Sequence, residues 1–166
     1  MSAELTKIKD DLYYDERSAG GIVYKIENGK VLWLLIKVLP HSQSHGKGKR
    51  SVFKFPKGHL KANEFLKAAA LREAEEEGKI KAEIVCKLGS NNYVFFDKVK
   101  KRKIIKKVTF FLMKYCGQSD IKYADAEMII DRQWLDFDQA THALAYDSER
   151  ILLQKARTGL DHLLKR

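Results

Sequence analysis

Apolar and polar positions change period several times along the chain, and each change marks an element. "SAGGIVYKI" and "KVLWLLIKVL" are β-rich runs parted by "ENG", which predicts two strands joined by a tight turn. "SVFKF" is short and β-like, and Pro56 ends it. Asn63 predicts an N-cap for a helix running to about Glu77, with Gly78 as its stop. Strand patterns return at "IKAEIVCKL", "YVFF" and "IIKKVTFFLMKY", the last two forming a hairpin with "DKVKKRK" at its tip. "IIDRQWLDF" predicts a further strand and "DQATHAL" a short helix. "SERILLQKARTGLDHLLKR" predicts a C-terminal helix with Leu152, Ala156, Leu160 and Leu163 on one stripe and Gly159 weakening its middle. Strands mixed with one central and one terminal helix predict a layered α/β protein.

Length and composition narrow the picture. The chain has 166 residues, which fits one domain over 1–166 with its own core. Residues 1–17 are polar and predict a loose lead-in, with Leu12, Tyr13 and Tyr14 available to dock on the body. Residues 40–50, "PHSQSHGKGKR", have the composition of an exposed basic loop. Lys and Arg total 32 against 22 Asp and Glu, a net +10, which favours an anionic partner: nucleic acid, a polyphosphate or an acidic membrane surface. Only Cys86 and Cys116 occur, outside any CxxC pair, so a disulfide framework and a zinc site are not expected and a reducing compartment fits. Cys86 lies in a strand pattern and is expected in the core. The N-terminus has no apolar signal core, and the longest apolar run, "VLWLLI", is too short to cross a bilayer. A cytoplasmic protein with no membrane partner is expected.

One stretch breaks the basic character. In "FPKGHLKANEFLKAAALREAEEEGKI", Glu73, Glu76 and Glu77 fall at i, i+3 and i+4, so all three project from one helical face. Such a cluster is ordinarily a solvated acidic face. Here Arg72 directly precedes it, and "FPKGH" supplies a glycine turn that brings backbone to the same place. Carboxylates converging there make a hard-oxygen site suited to Mg²⁺ or Mn²⁺.

Gly58, Glu64 and the run from Arg72 through Glu77 to Ile80 resemble the signature of the Nudix hydrolases, GX5EX7REUXEEXGU, where U is a bulky aliphatic residue. Two positions depart from it. Ala74 is smaller than the aliphatic residue expected, which touches packing only, and the final glycine falls on Lys79, which predicts a stop moved back to Gly78. "SAGGIVY", "FPKGH", "VTFFLM" and "WLDF" extend the resemblance, over residues 18 to about 137, to members that hydrolyse diadenosine polyphosphates.

The resemblance implies a Nudix fold, a mixed β-sheet sandwiched between α-helices, and a pyrophosphohydrolase that uses Mg²⁺ or Mn²⁺. It implies that Glu73, Glu76 and Glu77 are the metal-binding and catalytic carboxylates, one of them orienting or deprotonating the attacking water. The carbonyl of Lys57 is implied as a further ligand, and Glu127 as a carboxylate from outside the signature. Gly58, Glu64 and Arg72 take structural roles, the last two as an ion pair fixing loop to helix. His59 and Lys57 are implied near the phosphates, and Tyr93 at the nucleotide. The substrate implied is a small polyphosphate, in the first place a dinucleotide such as diadenosine tetraphosphate or hexaphosphate. Diphosphoinositol polyphosphates, the 5′-triphosphate end of RNA, and a non-catalytic nucleotide- or RNA-binding domain are the alternatives. The basic run "KVKKRKIIKK" reads as a solvated hairpin tip, a wall of the phosphate channel or an RNA contact.

Overall fold

The computed structural model describes residues 14–39, 50–122 and 128–166. Among the described residues, seven strands lie in one sheet: β1 (Glu16–Glu27), β2 (Lys30–Leu39), β3 (Val52–Lys54), β4 (Lys57–His59), β5 (Ile80–Asp97), β6 (Arg102–Gln118) and β7 (Met128–Leu135). The main path runs β3-β2-β1-β6-β5, with β4 paired to β1 and β7 to β2. The helices are α1 (Leu66–Gly78), α2 (Phe137–Ala143) and α3 (Asp147–Leu164). This is the mixed sheet between helices that the resemblance implies, and it agrees with the layered α/β order of the predicted elements.

Strand pleating explains the two-sided core. In β1, Ile22 and Tyr24 point to one face, and Ala19 and Val23 to the other. In β6, Val108, Phe110 and Leu112 join the first group, and Phe111 and Met113 the second. Leu152, Leu153, Ala156 and Leu160 of α3 cover the first face, and Ala69, Ala70 and Ala74 of α1 cover the second. Ala74 is buried there against bulky strand residues, so its small size is met by its neighbours. β1 and β6 run parallel from Glu16↔Lys106 to Tyr24↔Lys114, and the β1–β2 turn places Asn28 and Gly29 at φ 52° and 74°.

Several local expectations are overturned. Asn63 is no N-cap: it sits in a turn at φ 60°, and α1 begins at Leu66 after Phe65, which makes no side-chain cap bond. Glu64 decides this, because its carboxylate accepts from the Lys61 amide and from Arg72 and so holds residues 61–64 as a turn. Gly78 does not stop the helix either. It lies within α1, and Lys79 takes the left-handed C-cap at φ 55°, its amide bonded to the Glu75 carbonyl. The left-handed stop therefore falls where the signature places glycine, and a lysine adopts it.

"FPKGH" is partly strand, as β4, rather than only a turn. "IKAEIVCKL" and "YVFF" merge into the single strand β5, whose register shifts at three places. The shift between Ile84 and Cys86 turns Val85 toward the core and leaves Cys86 exposed, against expectation. Leu163 is exposed because α3 has run past the sheet by its last turn. Of the lead-in, Glu16 and Arg17 already belong to β1. Residues 1–13 and most of the basic loop, 40–49, lie outside the described residues.

Candidate functional site

Arg72 is the hub of the acidic cluster. Its Nε donates to Glu64 Oε1 at 2.7 Å and its Nη2 to Glu64 Oε2 at 3.1 Å, a two-pronged pair. Nη2 also donates to the His59 carbonyl at 2.9 Å. Nη1 donates to Glu73 Oε1 at 2.7 Å and Glu76 Oε2 at 3.2 Å. One guanidinium thus ties the loop after β4 to α1 and draws two carboxylates to a single nitrogen. Hydrogen bonding to Arg72 holds the Glu64 carboxyl below its ordinary range. Burial pushes the Glu73 carboxyl up, and Arg72 opposes that shift.

The remaining contacts bring β4 against the same helical face. The Lys57 amide donates to Glu77 Oε2 at 3.1 Å. Gly58 lies so close to Glu73 that a Cβ there would stand 2.2 Å from the carboxyl carbon. Glu75 points away and accepts from Ser119 Oγ at 2.8 Å. Arg132 Nε donates to the Glu77 carbonyl at 2.6 Å, closing the C-terminal end of α1 against β7.

Glu73 and Glu77 are buried, and Glu76 is half-buried beside them. Among the described residues, no three acidic, histidine or cysteine side chains are gathered closely enough to hold a metal ion in their present rotamers. The donor chemistry nonetheless fits a small hard divalent cation: three carboxylates share one helical face, and a strand lacking a side chain at Gly58 cradles one of them.

A cleft of about 540 Å³ opens on the far side of Lys57. Lys54, Lys57 and Lys106 line it together with Tyr93, Tyr146 and Glu149. Residue Lys106 faces it by register, paired with Tyr93 across the β5–β6 hairpin. The backbone link from the Ala145 amide to the Phe53 carbonyl, 3.2 Å, lays the α2–α3 connection along β3 and delivers Tyr146 and Glu149. Glu149 is buried and accepts from the Phe55 amide at 3.1 Å, 94 residues away in the chain. With Glu77 on the Lys57 amide, the segment Phe55–Pro56–Lys57 is held by a carboxylate at each end.

The structure thus gathers Gly58, Glu64, Arg72, Glu73, Glu76, Glu77 and Lys57, and puts Tyr93 in the adjoining cleft rather than the core. His59 is exposed at the end of β4, its carbonyl held by Arg72. Glu127 lies outside the described residues. Lys106 belongs to the basic run "KVKKRKIIKK", one reading of which was a wall of the phosphate channel, whereas Lys54, Tyr146 and Glu149 were not picked out from the sequence. Of these three, Glu149 left a signal there: it falls three, four and seven positions before Leu152, Leu153 and Ala156, a charge on an apolar stripe.

The family model of the NUDIX domain matches residues 16–156. A Mycobacterium tuberculosis (strain CDC 1551 / Oshkosh) protein named as a candidate mutator protein, MutT4, is 28% identical over 148 residues, covering 89% of this chain and 57% of the relative. This chain therefore spans little more than half of that relative's length. A Caenorhabditis elegans Ap4A hydrolase in a binary complex superposes with a TM-score of 0.63 at 22% identity, covering 89% of this chain and 98% of that one. The NUDIX domain of Shewanella oneidensis NrtR, complexed with ADP ribose, superposes with a TM-score of 0.61 at 16% identity, covering 93% and 98%. At these identities the two structures speak for the fold.

Proposed function

The chain belongs to the Nudix family, and from that premise we propose that it is a divalent-metal-dependent pyrophosphohydrolase of diadenosine polyphosphates. The observation that carries the reading is the cleft beside the Lys57–Glu77 contact, where three lysines and two tyrosines meet. A polyphosphate resists attack because its charge repels nucleophiles. Lys54, Lys57 and Lys106 offset that charge along the cleft, and Tyr93 and Tyr146 offer flat apolar faces to a base. The Ap4A hydrolase of the same fold supports this choice of substrate.

Glu73, Glu76, Glu77 and the Lys57 carbonyl would hold Mg²⁺ or Mn²⁺, with Glu127 as a further candidate. Such an ion, when bound, offsets phosphate charge and makes water a better nucleophile at neutral pH. The chain's own residues set the stage. Arg72 and Glu64 clamp the loop to α1, Gly58 admits the Glu73 carboxylate, and Glu77 and Glu149 hold the strand that carries Lys57. His59, two residues after Lys57 at the exposed end of β4, would meet phosphates that extend beyond the cleft. One of the three glutamates accepts the proton of the attacking water.

The test is a substrate panel: diadenosine tetraphosphate and hexaphosphate, a diphosphoinositol polyphosphate and a 5′-triphosphate RNA, each with and without Mg²⁺, products separated by chromatography. The expected result is Mg²⁺-dependent cleavage with the highest kcat/KM on a dinucleotide. A higher value on the inositol or RNA substrate overturns the substrate assignment. Binding of nucleotide without turnover of any substrate overturns the enzymatic one.

A further inference from the structure

The β5–β6 hairpin projects past the cleft, whose lining on these two strands reaches no further than Phe95 and Lys106. Register pairs Phe96 with Lys103, so Phe96, Lys103, Ile105 and Lys107 share the face opposite the one bearing Tyr93, Phe95 and Lys106. Phe96 is 60% exposed, Ile105 40% and Val99, in the turn between the strands, 92%. Lys98, Lys100, Lys101, Arg102 and Lys103 surround them, all exposed. Asp97 is spent on the turn itself, accepting from the amides of Val99 and Lys100 at 2.8 and 2.9 Å. Asp15 is spent on Arg102 and the Ile105 amide, both at 2.7 Å. Lys101 adopts φ 53°, a left-handed position that glycine or asparagine fills at lower cost. A cation thus stands where backbone geometry disfavours it.

We propose that this hairpin tip docks the protein on an anionic lipid surface, with Val99 and Phe96 entering the headgroup layer and the surrounding lysines facing acidic headgroups. Apolar side chains ringed by cations on a projecting element have the composition that binds membrane interfaces. A second copy of the chain fits poorly, since it presents the same cations and would set like charges together. Single-stranded nucleic acid needs aromatic faces for stacking, and of Phe96, Val99 and Ile105 only the first offers one. The expectation of no membrane partner came from the lack of a spanning segment, which a hairpin resting on headgroups does not require.

Flotation of the full chain with phosphatidylcholine vesicles, with and without phosphatidylserine, reads the proposal directly. Binding is expected only to the phosphatidylserine vesicles and is expected to fall at high salt. Lys98→Gln with Lys100→Gln is expected to weaken it about twenty-fivefold, roughly fivefold per cation. Phe96→Ser with Val99→Ser is expected to weaken it about tenfold or more, with unchanged thermal melts for both pairs. Absence of binding by the parent protein at low salt overturns the proposal. So does a Phe96/Val99 pair that binds like the parent, and so does polyuridylate that binds through the lysines and displaces the vesicles without regard to the apolar pair.

Discussion

The backbone of Gly58 lies against the carboxylate of Glu73 so closely that a methyl group on residue 58 would stand 2.2 Å from the carboxyl carbon. Neither side yields readily, because β4 is paired to β1 and Glu73 is held by Arg72. Gly58→Ala is expected to cost about 1–3 kcal/mol of stability and to lower turnover by about two orders of magnitude. Thermal melts and kcat on diadenosine tetraphosphate check both halves. An alanine variant with parental turnover would show that the Glu73 position is dispensable.

Glu77→Gln retains an oxygen to accept from the Lys57 amide and removes one charge from the cluster. Turnover is expected to fall about a hundredfold or more, while the melting temperature holds, because like-charge repulsion on α1 is relieved. Isothermal titration with Mg²⁺ should show weaker binding in the variant. Equal affinity in both proteins would remove Glu77 from the ligand set.

Lys79 at φ 55° carries a penalty that glycine avoids. Lys79→Gly is expected to stabilise the protein by about 1 kcal/mol, the left-handed penalty less the entropy that glycine adds to the unfolded chain. Urea denaturation at neutral pH measures it. A loss of stability would mean that the lysine side chain contributes more than its backbone costs.

Glu64 carries the clearest pH dependence. Its carboxyl is lowered chiefly by the hydrogen bonds from Arg72, so the folded state binds its proton less readily than the unfolded chain does. The stabilisation is therefore complete above the unfolded value of about 4.3 and is lost as pH falls through the lower folded value. Glu64→Gln is expected to destabilise by about 1–3 kcal/mol at pH 7. That gap from the parent protein should narrow below about pH 4. Urea midpoints across pH report the curve, and a gap that widens in acid would contradict the sign.

Tyr93 shares its cleft with Tyr146, and its hydroxyl lies 3.4 Å from Ser148 Oγ. Stacking on a base is worth about 1–3 kcal/mol, so Tyr93→Ala is expected to lower kcat/KM on diadenosine tetraphosphate about 5- to 150-fold. A diphosphoinositol polyphosphate has no base, and its hydrolysis should change little. A variant that melts normally and keeps full efficiency on the dinucleotide would remove Tyr93 from the nucleotide site.

What the sequence determined by itself is what repeats over a few residues. Helical spacing puts Glu73, Glu76 and Glu77 on one face whatever surrounds them, and the unbroken apolar runs inside "SAGGIVYKI" and "VTFFLM" fit strands covered on both faces. Caps were less legible, because they are settled by competition. Asn63 and Gly78 have the right local chemistry, but the Arg72–Glu64 clamp holds the first in a turn and the helix continues through the second to Lys79. Cys86 was misplaced because a bulge reverses the alternation with no residue to announce it. Only the tertiary structure decided the cleft. Lys54, Lys106, Tyr146 and Glu149 come from β3, β6, the α2–α3 connection and α3, and they meet through sheet register and through the packing of α3 on the sheet. The bond from Phe55 to Glu149 spans 94 residues, and no local period encodes a contact at that range.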